Sequence, residues 1–321
     1  MRTSGWWVAA ALFLGACTGE KTGIEKEAAP SPKGVELPGQ GKAELGLMLE
    51  SSCTGGDPES CFQLAKSKLG GTQPDIVGAR TAYSRACNVH HGASCYELGK
   101  MVRDAKGGPK DPRRAVDVLG IACNEGLSDA CVDQAVLLYD GSLTTKPDPG
   151  RAVALFQPAC GAEAFSALAC SRLARAYVEG QGVEKADEKQ ARTLFEKACA
   201  TNDPASCVAF GKWLVGQKPK EDIIAGAAAL EKACTADPHF GCYELAGLHG
   251  AEKPILPEAS AVKAADYYQR TCNIDPTRGC FEAADLMDVG KVPARKEEIQ
   301  SLYNLACEHG SADACTRRSP D

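Results

Sequence analysis

The chain has 321 residues, of which 44% are hydrophobic, 24% charged and only 6% aromatic, with a formal net charge of -6. Length alone suggests about two domains; the mild acidity excludes nucleic acid as a main partner, because phosphate binding needs concentrated Lys and Arg, and so few rings exclude one large aromatic core. The seventeen cysteines would be free thiols or metal ligands in a reducing cytosol and cross-links in an oxidising compartment.

The N-terminus bears on that choice. Met1 to Ser4 is a short basic start, and Trp6 to Leu14 is apolar and uncharged. This run is too short to span a bilayer but suits the core of a signal peptide over 1–16. Leu14-Gly15-Ala16-Cys17 resembles the bacterial lipobox, in which the cysteine sulfur is acylated and the chain is cut just before it. That resemblance implies an exported protein anchored to a membrane only through the lipid on Cys17. Thr18 is not the Asp that holds such proteins in the inner membrane of Gram-negative bacteria, so the outer membrane is favoured. Residues 17–42 contain Pro30, Pro32 and Pro38, several Gly and mixed charges, a composition expected of a flexible tether.

Sixteen cysteines then fall into eight local couples: Cys53 with Cys61, Cys87 with Cys95, Cys123 with Cys131, Cys160 with Cys170, Cys199 with Cys207, Cys234 with Cys242, Cys272 with Cys280, and Cys307 with Cys315. Seven have seven intervening residues, and successive couples begin 34 to 39 residues apart. A period in this range marks a helical solenoid. After the second cysteine of each couple a helix is expected, with a small residue four positions on: Ala65, Gly99, Ala135, Ala174, Gly211, Ala246 and Ala284. A connector rich in Gly, Pro and Asp follows, then a second helix ending on the next cysteine. Four residues before that cysteine stands a large side chain, from Tyr83, Leu119, Phe156 and Phe195 to Leu230, Tyr268 and Tyr303, and eight before it there is usually Ala or Gly. Positions four and eight apart share one helical face, so each unit reads as two amphipathic helices packed antiparallel. The reading is an all-α, α/α superhelical solenoid of about seven hairpins over 43–315. A lone helix over 43–52 precedes it, and a tail of 316–321 follows without a further full helix, as the atypical ends of solenoids lead one to expect.

The run from Ala169-Cys170 through Tyr177, Gly180 and Gly182 to Ala198-Cys199 resembles a Sel-one-like repeat, a family related to tetratricopeptide repeats. The doubled cysteine resembles its secreted, Helicobacter cysteine-rich protein branch. The resemblance covers about Cys53 to Cys315, with a longer loop at Cys160–Cys170 and degenerate connectors after Cys207 and Cys242. Each cysteine couple spans a helix end, a tight turn and the next helix start, where Cα atoms can come within disulfide range. Structural disulfides follow, each worth roughly 2–3 kcal/mol by loop closure. Zinc sites use closer cysteine spacing, and haem attachment needs a C-x-x-C-H motif that is absent, so no metal or cofactor is expected.

Catalytic signals are sparse. His90, His91, His239 and His309 fall in turns and His249 on a helix. Ser260-Ala-Val-Lys263 and Lys21-Thr22-Gly23 match fragments of the penicillin-binding and β-lactamase pattern, but one lies at a repeat helix and the other in the tether. A weak β-lactam-binding or β-lactam-hydrolysing activity enters only as what the family resemblance implies. The surface says more. Two and five residues after the second cysteine, Glu97, Lys100, Asp133, Arg172, Arg175, Lys212 and Glu244 form a charged stripe away from the small-residue face. The resemblance places first helices on the concave side, so the stripe would line a groove centred on Arg172 and Arg175, suited to a protein or extended peptide. Tyr177 and Trp213 are candidate aromatic anchors or core residues.

Overall fold

The computed structural model describes residues 39–141, 146–161, 165–217, 219–251 and 256–317. The expected signal peptide, the anchor Cys17, the Lys21-Thr22-Gly23 fragment, the tether up to residue 38 and the last four residues lie outside the described residues. The chain divides into two units. Of the first, 1–44, only the start of one helix is described; the second, Leu45–Asp321, carries the repeats.

Among the described residues sixteen helices follow one another without a strand. α1 (Gly39–Thr54) stands alone and begins four residues before the expected solenoid boundary at Ala43. Seven hairpins come next: α2 (Pro58–Leu69) with α3 (Ile76–Cys87), α4 (Gly92–Arg103) with α5 (Pro112–Asn124), and α6 (Ser128–Asp140) with α7 (Pro149–Ala159). They continue as α8 (Ala167–Glu179) with α9 (Glu188–Ala200), and α10 (Pro204–Val215) with α11 (Lys220–Ala236). The last two are α12 (Cys242–Gly250) with α13 (Ala261–Cys272), and α14 (Pro276–Asp288) with α15 (Lys296–Glu308). A short α16 (Ala312–Arg317) follows.

Local chemistry sets the helix boundaries. Asp57, Asp111, Asp148 and Asp203 each accept a hydrogen bond from the backbone N–H three residues on, at 2.8–3.1 Å. This satisfies a donor that the first helical turn cannot. Pro fills the start of α2, α5, α7, α10 and α14, where its missing N–H costs nothing. At the other end, the third residue after the first cysteine turns left-handed in five corners: Gly56, His90, Gly126, Asn202 and Gly310. In four of these, the next N–H reaches back to the carbonyl five residues earlier, as from Leu127 to Ala122. That closes a helix end in the Schellman manner and turns the chain within a few residues.

The hairpins bury the faces that the periodicity marked. Ala65, Ala135, Ala174, Ala246 and Ala284 are wholly buried, as are the facing Ala79, Ala115, Ala152, Ala191 and Ala264. Tyr83, Leu119, Phe156, Phe195, Leu230 and Tyr303 fill the space between, with Tyr268 half-buried. Each such side chain contributes roughly 1.5–3 kcal/mol by leaving water. The aromatic residues are spread over successive small clusters rather than one core, as a stack of repeats requires.

Consecutive hairpins meet at corners, and each corner carries a disulfide. The first three bonds join Cys53 to Cys61, Cys87 to Cys95, and Cys123 to Cys131. The next three join Cys160 to Cys170 across the longer loop, Cys199 to Cys207, and Cys234 to Cys242. Cys272 to Cys280 and Cys307 to Cys315 complete the ladder. In all eight the Cα atoms stand 4.5–4.8 Å apart. Between hairpins the bond runs from the second helix of one to the first helix of the next, so it staples neighbours together. The Cys53–Cys61 bond does the same for the lone α1 and the first hairpin, and Cys307–Cys315 for the last hairpin and α16. Lysines reinforce two corners: Lys197 Nζ donates to the Cys160 carbonyl at 2.6 Å, and Lys232 Nζ to the Cys199 carbonyl at 2.7 Å. A cation at a helix C-terminus meets both a terminal carbonyl and the negative end of the helix dipole. Helix α8 also packs directly against α6 and α10, so along this stretch the even-numbered helices form the inner layer.

Candidate functional site

The inner face of the even-numbered helices carries the charged stripe, and nearly every charge on it has a partner. Glu97 and Lys100 pair with each other at 2.8 Å on α4. Asp133 on α6 receives Arg103 from α4 at 3.2 Å. Arg172 and Arg175 on α8 both reach back to Asp140 on α6, at 3.1 and 3.2 Å, and Arg175 also binds Glu179 at 2.6 Å. Lys212 on α10 stands 3.5 Å from Glu244 on α12. Two tyrosines extend the ladder: the hydroxyl of Tyr139 donates to Glu179 at 2.7 Å, and that of Tyr243 to Glu282 at 2.6 Å.

The sequence pattern therefore placed both members of the Lys212–Glu244 pair and one member of the pairs made by Asp133, Arg172 and Arg175. It missed Arg103, Asp140 and Glu179, which stand eight or nine residues after the second cysteine. Opposite charge at that offset, facing the second position of the following repeat, was the available signal. The pairs have electrostatic consequences. Burial raises the Tyr139 hydroxyl well above its ordinary range, and the hydrogen bond to Glu179 adds to it. Burial also opposes ionisation of Glu179, but the hydrogen bonds from Arg175 and Tyr139 win, and its carboxyl is held low. Asp133 goes the other way. Burial raises its carboxyl, and Arg103 and Lys100 only partly offset this. Exposed pairs of this kind contribute about 0–1 kcal/mol each, so their main effect is to fix the register of neighbouring repeats.

Between α8 and α10 the ladder opens into a cavity of about 370 Å³. Its floor is apolar: Phe195 from α9, Trp213 and Ala209 from α10, and Leu168 and Val178 from α8. Phe195, Phe210 and Trp213 form a ring triad with centroids 5.5–6.4 Å apart. The charged residues lining the cavity are Arg172, Arg175 and Lys212. The structure thus brings three of the seven stripe residues around one hole. Glu244 instead lines a smaller cavity, of about 150 Å³, beside His239, Asp275 and Arg278. Of the two candidate anchors, Trp213 walls the larger cavity, whereas half-buried Tyr177 packs beside Leu173 and Leu194.

The remaining signals resolve into local structure. Ser260 caps α13, its Oγ accepting from the Lys263 N–H at 3.2 Å, while Lys263 Nζ pairs with Glu258 at 2.9 Å. His91 caps α4 and faces Glu59 at 3.4 Å. His249 is buried and stacked on Tyr267 with ring centroids 5.6 Å apart. No group of three or more His, Cys, Asp or Glu side chains could hold a metal ion among the described residues, and no described helix is long and apolar enough to cross a membrane.

Four stretches of the chain match the family model described as the Sel1 repeat: residues 92–127, 128–162, 167–203 and 239–274. They coincide with the α4/α5, α6/α7, α8/α9 and α12/α13 hairpins. Two curated relatives are named cytochrome c oxidase assembly factor 7. The one from Xenopus tropicalis is 30% identical over 47% of this chain and 66% of its own length; the one from Mus musculus is 29% identical over 39% and 55%. The chain thus spans under two thirds of either relative. A Sel1 repeat protein from Oxalobacter formigenes superposes with a TM-score of 0.64 at 20% identity, covering 88% of this chain and 81% of that one. A protective antigen present in uropathogenic Escherichia coli strains, displaying an SLR fold, gives 0.52 at 21% identity, covering 85% and 66%. These structures share the fold.

Proposed function

The chain is a Sel1-like repeat protein, and from that premise we propose that it is a cell-envelope lipoprotein whose inner groove holds another protein or an extended peptide. The observation that carries this reading is the cavity between α8 and α10, an apolar floor opening on the inner face of a stacked-helix solenoid. Solenoids bind through such extended inner surfaces, and a half-exposed aromatic in a pocket is the usual anchor of a binding surface. The lipobox-like Leu14–Cys17 supports export and anchoring, with the outer membrane favoured. Eight disulfides support an oxidising compartment. The curated relatives' name, assembly factor, suits the same scaffold reading, since assisting assembly means holding other proteins.

A photo-crosslinking amino acid placed at Ala209 or Lys212, in cells producing the full chain, tests the groove. The expected result is a discrete cross-linked partner from these inner positions and not from Glu196 on the outer layer. Equal labelling from both faces would remove the groove as the binding surface. Intact-mass analysis of the mature protein tests the anchor: a lipid modification at Cys17, lost on Cys17→Ser, is expected.

A further inference from the structure

We propose that the α8/α10 cavity recognises an acidic peptide segment: one large apolar side chain sits on the Phe195–Trp213 floor, and carboxylates on flanking residues meet Arg172, Arg175 and Lys212. The inference deepens the groove reading above and rests on it.

Three observations carry it. The cavity is apolar at its base, and Leu168, 38% exposed, leaves part of its apolar wall open. Its charged lining is entirely cationic: the carboxylates that pair with these cations, Asp140, Glu179 and Glu244, do not line it. The pairing also leaves donors over. Each guanidinium offers five N–H donors. Arg172 uses only Nη1 on Asp140, and Arg175 uses Nε and Nη1, so Nη2 of both lacks a partner among the described residues. Lys212 is 60% exposed and only loosely paired.

Asp140 and Glu179 act here as positioning residues. They hold two arginines in fixed places on one wall, which reduces the side-chain entropy lost when a ligand carboxylate arrives. The third cation stands on the opposite wall. Cations on both walls call for carboxylates on both sides of the anchor, which a single chain-terminal carboxylate cannot supply. The neighbouring cavity mixes Asp275 and Glu244 with Arg278 and has no such selectivity.

The test uses the full disulfide-bonded protein and fluorescein-labelled peptides with amidated C-termini. Each peptide has a central Leu flanked by Glu, by Ser or by Lys, and binding is read as anisotropy. The Glu-flanked peptide should bind at least about tenfold more tightly than the Ser-flanked one, weaken as salt rises, and lose binding when its Leu becomes Ser. Lys212→Glu and, independently, Ala205→Glu at the exposed cavity rim should each weaken it by about tenfold, with unchanged circular dichroism. Equal binding of the Ser- or Lys-flanked peptides, or indifference to both substitutions, would overturn the acidic-ligand assignment while leaving a peptide-binding solenoid in place. Absence of binding by every peptide would also overturn it, and the cross-linking experiment then decides the scaffold reading separately.

Discussion

The α10/α11 hairpin and the α11/α12 corner that follows it hold their helices together by opposite means. Inside the hairpin the contact is backbone on backbone. A Cβ added to Gly226 would lie 2.8 Å from the Gly211 carbonyl oxygen, and one added to Gly211 would meet the Gly226 carbonyl at 2.8 Å. At the corner, α11 runs past Cys234 to Ala236, and the chain needs residues 237–241 to turn. The two helices pack sparsely there, and the Cys234–Cys242 bond joins them. The comparison teaches that small residues suffice where two faces can close, and that a covalent link substitutes where the turn holds them apart.

The largest expected effect lies at that corner. Replacing Cys234 and Cys242 together by Ser should lower stability by about 2–3 kcal/mol, with amide exchange rising first in α11 and α12. The same change at Cys272 and Cys280 should cost less. There Gly279 lets α14 lie directly against α13, its missing Cβ leaving room beside the Tyr268 carbonyl. Equal losses at both corners would break the comparison.

Inside the hairpin, Gly226→Ala should cost about 1–3 kcal/mol by forcing the backbones apart, read as a lower urea midpoint. A neutral result would mean that α10 and α11 slide freely, and that the close approach is not what holds them. A smaller effect should follow from Lys197→Met, which removes the cation from the Cys160 carbonyl. A loss of about 0.3–1 kcal/mol is expected, shrinking in high salt.

The last prediction concerns pH. Burial, helped by the charge of Lys263, holds His249 below its ordinary range, while Glu258 and Glu231 pull weakly the other way. The folded protein therefore binds fewer protons at this site than the unfolded chain. Stability contributed by neutral His249 is present above about pH 6.5 and is lost as pH falls through that value towards the lowered folded pKa. The urea midpoint of the wild type should drop on acidification more than that of His249→Gln. Parallel curves would assign the acid sensitivity elsewhere.

The small positions Ala65, Ala135 and Ala174 and the large ones Tyr83, Leu119 and Phe156 were legible because helical periodicity puts them on one face whatever the neighbouring repeat does. Groove residues such as Arg172 and Lys212 were legible as positions but not as partners. Their charges are met by Asp140 and Glu244, on adjacent repeats. α1 starts at Gly39 rather than Ala43: the Gly-containing stretch 39–42 reads as tether by composition, although Pro38 directly before it is a helix-start signal.

What the sequence determined by itself was everything that acts over a few residues: the helix pairs, their caps, and cysteine couples eight or ten residues apart. What the tertiary structure decided acts across 30 to 40 residues: which carboxylate holds which arginine or tyrosine, and that three cations share one cavity. The physical reason is geometric. Local turns fix short-range pairing, whereas contacts between repeats depend on the rotation from one hairpin to the next. That rotation is set jointly by glycine contacts, disulfides and side-chain volumes, and no single position in the chain records it.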